Sequence, residues 1–78
     1  MLFRSARAAQ HLLGLLTPRE RGVLDKLVTG RSNKVAAFEL GISPRTVEIH
    51  RARIMDKMNA INLSDLVRIS IAAEKPVH

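Results

Sequence analysis

Apolar residues recur along this chain at spacings of three and four, the period of an α-helix with one buried side. The clearest run follows a start signal for a helix: a Thr that can cap it, a Pro for its first position and a Glu three residues after the cap. These residues are Thr17, Pro18 and Glu20, and the apolar run after them is Val23, Leu24, Leu27 and Val28. The pattern predicts a helix that begins at Pro18 and stops before Gly30.

A second and a third helix follow at close range. Ser32 can cap a helix over about residues 33–40, and Gly41 can end it in the left-handed conformation. Ser43, followed by Pro, starts the next helix only two residues after this Gly. Two helices joined by a turn of about three residues, here 41–43, form the helix-turn-helix arrangement.

The third predicted helix runs to about Met58, where Asn59 can end it. Ser64 or Asn62 then caps a last helix that fades before Pro76. Its apolar side is expected to carry Leu66, Val67, Ser70 and Ile71. No segment alternates apolar and polar residues with a period of two, so we predict an all-α fold of four helices.

Composition narrows the possible functions. The chain has 78 residues, 46% of them hydrophobic, which fits one small compact domain. Cys is absent, which excludes disulfides, thiolate zinc sites and Cys nucleophiles. The three histidines, His11, His50 and His78, have no partner at metal-ligand spacing on a shared helix face. We therefore expect no enzyme, no metal and no cofactor.

Charge points to an anionic partner. The formal net charge is +6, which favours an anionic partner such as a nucleic acid or a membrane. No apolar run approaches the roughly 18–20 residues that span a bilayer. Phe3 and Phe38 are the only aromatic residues. Single-stranded nucleic acids are usually bound by stacking on aromatic side chains, so double-stranded DNA is the better match.

The helix predicted from Pro44 to about Met58 has two distinct sides. Val47, Ile54 and Met58 form its core side. The opposite side carries Arg45, Glu48, Ile49, Ala52, Arg53 and Asp56, with His50 and Lys57 on a flank. Most charged helix faces only contact solvent. Here a large apolar residue, Ile49, lies among cations on the second helix of a helix-turn-helix, which favours insertion of this helix into the major groove of DNA. Such a helix needs cations for phosphates and a mixed centre for base edges.

Several of these residues are candidates for phosphate contacts. Arg45, His50 and Arg53 surround the apolar centre. Thr46 is either an ordinary first-turn residue or a hydroxyl donor to a phosphate, and Lys34 is either solvated or placed at a helix N-terminus that favours anions.

The segments "LTPRE", "SNK", "GISPRTVEIHRARIM" and "LSDLV" closely resemble the DNA-binding output domain of the LuxR/FixJ family of bacterial transcription regulators, especially FixJ-like response regulators. The resemblance covers Leu16 to about Ala73. It implies a four-helix domain with the third helix in the major groove. Carried onto matching positions, base contacts fall on Glu48, Ile49 and Ala52, and phosphate contacts on or near Lys34, Thr46 and His50, with Arg45 and Arg53 in addition.

The resemblance also implies a homodimer on DNA through the last helix. There we expect Ile69, Ala72 and Ala73 to face away from the core and to form the dimer contact. Two departures from the family pattern predict lower stability. Gly22 replaces a common acid, and Ala36 replaces a larger aliphatic residue, unless Val35 or Phe38 fills the space.

Residues 1–16 are rich in Arg, Ser and Ala and have no acid, which is typical of a mitochondrial presequence. The apolar repeat at Leu2, Ala6, Ala9, Leu13 and Leu16 equally suits a helical lead-in or an interdomain linker. Since the remainder resembles bacterial proteins, we favour a linker or lead-in over 1–15 and a DNA-binding domain over 16–75.

We therefore expect a cytoplasmic bacterial regulator that binds double-stranded DNA, without a receiver domain in this chain. The alternative is a helix-turn-helix module, similar to those of sigma factors, that docks on RNA polymerase. Binding to duplex DNA separates the two hypotheses.

Overall fold

Five α-helices and no strands make up the part of the chain that the structure, a computed structural model, describes, residues 5–74. The helices are α1 (Ala6–Leu13), α2 (Pro18–Val28), α3 (Asn33–Leu40), α4 (Pro44–Lys57) and α5 (Leu63–Glu74). The all-α prediction and the four helices expected after residue 16 are confirmed. Four residues named above lie outside this range: Leu2, Phe3, Pro76 and His78.

Side-chain caps begin these helices where the sequence predicted. Thr17 Oγ1 accepts from the backbone N–H of Glu20 at 3.1 Å, and Glu20 Oε1 accepts from the backbone N–H of Thr17 at 2.9 Å, which completes a capping box. Asn62, rather than Ser64, caps α5, since its Oδ1 accepts from the backbone N–H of Asp65 at 2.9 Å. Each cap satisfies amides that a helix start leaves unpaired.

Residues in the left-handed backbone conformation end α3 and α4, the two helices joined by the turn at 41–43. Gly41 has φ 71° after α3, and Asn59 has φ 53° after α4. Gly adopts this conformation without a steric penalty, and Asn tolerates it better than most residues. Because Gly41 ends α3 directly after Leu40, the turn to α4 has only the residues 41–43.

The core is aliphatic and draws on every helix. Val47, Ile54 and Met58 are fully buried, which confirms the predicted core side of α4. Burying a side chain of this size stabilises a fold by about 1.5–3 kcal/mol. The other buried apolar residues are Ala9, Val23, Leu24, Leu27, Ala36, Ala37, Leu66, Ile69 and Ala73.

Helix α1 packs against α5. Ala9 is fully buried between them, and Gln10 Nε2 donates to the carbonyl oxygen of Ala73 at 3.0 Å. Residues 6–13 therefore form a helix that contributes to the core. The domain boundary at residue 16 stays a prediction.

This packing corrects the predicted orientation of α5. Ile69 is only 1% exposed and Ala73 9%, so these two residues do not face away from the core. Ile71, expected inside, is 53% exposed, and Val67 is only partly buried. The reason is that α1 packs along α5 and covers the side that includes Ala73, whereas the sequence-based orientation was drawn without this contact.

Helix α3 buries only small side chains. Ala36 and Ala37 are buried, whereas Val35 is 45% exposed and Phe38 87%. Neither of the two larger residues fills space beside Ala36, so compensation from them is excluded.

Candidate nucleic-acid interface

The turn after α3 sets the start of α4. The backbone N–H of Ile42 donates to the carbonyl of Ala37 at 3.0 Å, which folds the chain back at Gly41. Ser43 Oγ then accepts from the backbone N–H of Thr46 at 3.1 Å and caps α4. Because each of these bonds joins residues no more than five positions apart, local sequence determines how α4 follows α3.

The side of α4 opposite its core residues is exposed to solvent. Ile49 is 46% exposed there, although burial would favour it by up to about 3 kcal/mol. Its neighbours on this side are exposed as well: Arg45, Glu48, Ala52, Arg53 and Asp56. The three residues predicted to face bases, Glu48, Ile49 and Ala52, therefore lie together on one accessible surface, which we call the α4 outer face.

Three of the cations predicted to bind phosphates are not neutralised. Lys34, Arg45 and Arg53 are exposed, and none forms an ion pair with a carboxylate within residues 5–74. In contrast, Lys26 and Arg31 both contact Glu39, at 3.2 and 2.7 Å. Unpaired cations can bind an external anion without first breaking an internal ion pair.

Lys57, predicted to lie on a flank of α4, forms an ion pair with a carboxylate of α2. Its Nζ lies 2.7 Å from Glu20 Oε1, and the Glu20 side chain is only 3% exposed. This hydrogen bond, together with the one from the Thr17 amide, holds the pKa of Glu20 below its usual value although burial acts in the opposite direction. The sequence identified Glu20 as a capping residue only, since its partner is 37 positions away.

Two of the side chains predicted to contact phosphates, Thr46 and His50, have polar atoms whose surroundings within the protein limit the contacts they can make. The Thr46 hydroxyl lies 2.9 Å from Ser43 Oγ, so one of the two hydroxyls donates to the other. His50 is half-buried, and its Nδ1 is enclosed without a hydrogen-bond partner in the described part of the chain. Its contact with an external anion would therefore have to be made through the other ring nitrogen.

Within 5–74, no group of three His, Asp or Glu side chains comes together as metal ligands. None of the five helices is long and apolar enough to cross a membrane.

Comparison with known proteins gives one consistent result. The family described as "Bacterial regulatory proteins, luxR family" matches residues 14–70. The chain is 55% identical over 58 residues to the transcriptional regulatory protein FixJ of Azorhizobium caulinodans. That match covers 74% of this chain and 28% of the relative. The chain is thus similar to less than a third of that regulator.

Solved structures agree with this match. The solution structure of the C-terminal transcriptional activator domain of FixJ from Sinorhizobium superposes with a TM-score of 0.80 at 46% identity, over 92% of this chain and 91% of that one. Full-length FixJ from B. japonicum gives a TM-score of 0.81 at 47% identity, over 87% of this chain and 34% of that one.

Proposed function

The chain belongs to the LuxR family of bacterial regulatory proteins, a non-enzymatic family of DNA-binding transcription regulators, and on this premise we propose that it binds double-stranded DNA sequence-specifically with α4 in the major groove. It does so as the output domain of a two-component response regulator. The exposure of Ile49 among unpaired cations carries this proposal.

The roles of individual residues follow from their chemistry. Glu48 accepts from a cytosine amino group, and Ile49 and Ala52 contact thymine methyl groups. Lys34, Arg45 and Arg53 bind phosphates as cations, while Thr46 and His50 do so as hydrogen-bond donors.

A duplex titration tests DNA binding. Sites are first selected from random duplex DNA, and the affinity for the selected site is then measured between 50 and 300 mM salt, chosen as roughly the range in which counterion release is visible. Three phosphate-binding cations per protomer predict a slope of log affinity against log salt of about −3 for each bound protomer, and about twice that for a bound dimer. A fluorescently labelled duplex with a scrambled site is the control.

Salt-sensitive binding that prefers the selected site supports the proposal. Equal affinity for the scrambled duplex would contradict sequence specificity. Absence of salt-sensitive binding to any duplex would contradict DNA binding altogether and would favour the alternative, docking on RNA polymerase without DNA contact.

We also propose a homodimer on DNA through α5. Its contact residues differ from the predicted set of Ile69, Ala72 and Ala73. Ile69 and Ala73 are buried, and Ala72 is half-buried. Among the apolar residues of α5, Ile71 is 53% exposed, and Val67, one turn before it, is partly buried. We therefore assign the two-fold contact to Val67 and Ile71.

Sedimentation of the complex with a palindromic duplex tests the dimer, because two half-sites should bind two copies. Ile71→Asp should leave one copy bound at the same protein concentration. Leu15→Asp, at a residue of similar exposure, is the matched control. Two copies bound by the Ile71 variant would overturn the assignment.

As a DNA regulator the protein acts in the bacterial cytoplasm, at the nucleoid.

A further inference from the structure

Asp56 is the one residue on the exposed side of α4 to which the proposed function gives no role. It is exposed, and its carboxylate forms no ion pair within residues 5–74. It lies seven residues after Ile49 and three after Arg53, spacings that place all three on one side of the helix. The side of α4 assigned to DNA therefore carries an unpaired carboxylate as well as cations.

Folding of the domain does not account for this carboxylate. Asp56 lies in the last turn of α4, which ends at Lys57. The C-terminal end of a helix carries partial negative charge, so a carboxylate is unfavourable there. The adjacent cation, Lys57, is paired with Glu20. Neither the helix dipole nor a partner cation gives Asp56 a stabilising role in the folded protein.

The position of Asp56 along α4 indicates what it meets in a complex with DNA. Eight residues separate it from Glu48, which corresponds to about 12 Å along the helix axis. The recognition helix of a helix-turn-helix contacts base edges with its N-terminal residues, and in the homeodomain, a three-helix variant, the C-terminal end of this helix contacts the backbone. With Glu48 over the bases, the last turn of α4 therefore lies beside phosphates.

We propose that the Asp56 carboxylate faces a phosphate of the bound duplex and weakens binding to every sequence by electrostatic repulsion. This inference rests on the proposed function, because it requires α4 to enter the major groove. Backbone electrostatics supply essentially all of non-specific DNA binding, and the formal net charge of +6 favours such binding. Asp56 lowers this sequence-independent part of the affinity.

Arg53 and Asp56 act on the backbone in opposite directions. They are three residues apart, within reach of each other on the helix, but they form no ion pair in the structure. Both charges are therefore available to the duplex. Arg53 attracts a phosphate, and Asp56 disfavours close approach by the next one, which limits how tightly the C-terminal end of α4 is held against the backbone.

The test compares Asp56→Asn with the unsubstituted protein on the selected and the scrambled duplex, from about 50 to about 300 mM salt. Asn has nearly the same size as Asp and no charge. We expect the affinity for both duplexes to rise roughly fivefold at the lowest salt, and the gain to shrink as salt screens the charges. The ratio of the two affinities should stay the same, because a phosphate contact carries no sequence information.

Asp25→Asn is the matched control. Asp25 is exposed on α2 and also forms no ion pair within residues 5–74, so this variant has the same change in net charge at a different place. Its affinity should change less than about twofold, as should that of Asp56→Glu, which keeps the charge. Thermal unfolding checks the fold of each variant, and Asp56→Asn should not lower the melting temperature.

Three results would overturn the proposal. Unchanged affinity of Asp56→Asn for both duplexes would show that the carboxylate meets only solvent. A loss of affinity for the selected duplex alone would assign Asp56 to a base amino group. An equal gain for Asp25→Asn would show that net charge alone matters. Failure of the proposed function is seen separately, as absence of duplex binding by the unsubstituted protein.

Discussion

The ammonium group of Lys57 lies 2.7 Å from a carboxylate oxygen of Glu20 and so joins the last turn of α4 to the first turn of α2. The same oxygen, Oε1, accepts from the backbone N–H of Thr17. A single buried carboxylate thus caps one helix and restrains the end of another.

The first prediction concerns Glu20→Gln, which keeps an amide oxygen for the Thr17 cap but removes the charge. Lys57 then loses its charged partner and keeps only a neutral acceptor, so we expect the free energy of unfolding to fall by about 1–3 kcal/mol at pH 7. Urea denaturation measures the change. Glu39→Gln is the control, because that carboxylate is also paired but lies at the surface, and its removal should have a much smaller effect.

A pH dependence follows from the same ion pair. The pKa of Glu20 in the folded protein lies below the usual value of 4.5, so its contribution to stability is present above pH 4.5 and is lost as the pH falls through the folded pKa. Urea denaturation of the unsubstituted protein and of Glu20→Gln from pH 7 to pH 3 should give curves that converge at acidic pH. A constant difference between them would contradict this assignment.

Gly22→Ala should stabilise the domain by about 0.5–1 kcal/mol, because Gly is unfavourable inside a helix. A methyl group at this position would lie 3.8 Å from Leu40 Cδ2, an ordinary packing distance. Thermal unfolding measures the gain. Gly41→Ala is the opposite case, since φ is 71° there and a side chain is strained, and it should destabilise. A lower melting temperature for the Gly22 variant would contradict the packing.

Ala9→Asp should detach α1 from α5, because it would place a charge in a fully buried position. Amide hydrogen exchange should then accelerate in α1 and at the end of α5, where Ala73 loses its bond to Gln10. Ala8→Asp, one residue away and exposed, serves as the control and should exchange as the unsubstituted protein does. Unchanged protection in the Ala9 variant would refute the packing of α1.

On the α4 outer face, Arg53→Ala and Ile49→Ala should act differently on DNA. The Arg variant should weaken binding to all duplexes and reduce the magnitude of the salt slope by about 1 for each bound protomer. The Ile variant should change base preference at one position, by about 1–3 kcal/mol, and keep the slope. Repeating the site selection and the titration with both variants distinguishes them. Equal loss on every sequence in both cases would refute the division of roles.

Local hydrogen bonding explains which parts of the fold could be predicted from the sequence. The starts at Thr17 and Ser43 and the ends at Gly41 and Asn59 depend on contacts within six residues, so residue type and spacing were sufficient. The same holds for the outward orientation of Ile49, since a helix that buries Val47 and Ile54 must expose it.

Contacts between distant segments could not be predicted in this way. Gln10 binds the carbonyl of Ala73 across 63 positions, and no periodicity within α1 or α5 indicates that these helices pair. Because the sequence does not show the contact with α1, its pattern placed Ile71 on the inner side of α5 and Ile69 on the outer side, the reverse of the structure. For the same reason Lys57 was assigned to the flank of α4, although its charge is held by Glu20.

Helix α4 is restrained at both ends, by the three-residue turn at Gly41 and by the Lys57 ion pair to Glu20. Its direction relative to α2 and α3 is therefore fixed by folding. Association with a ligand then loses little further conformational entropy in this helix, because its orientation is preorganised. Loosening either end should weaken binding even when every residue that contacts the ligand is retained.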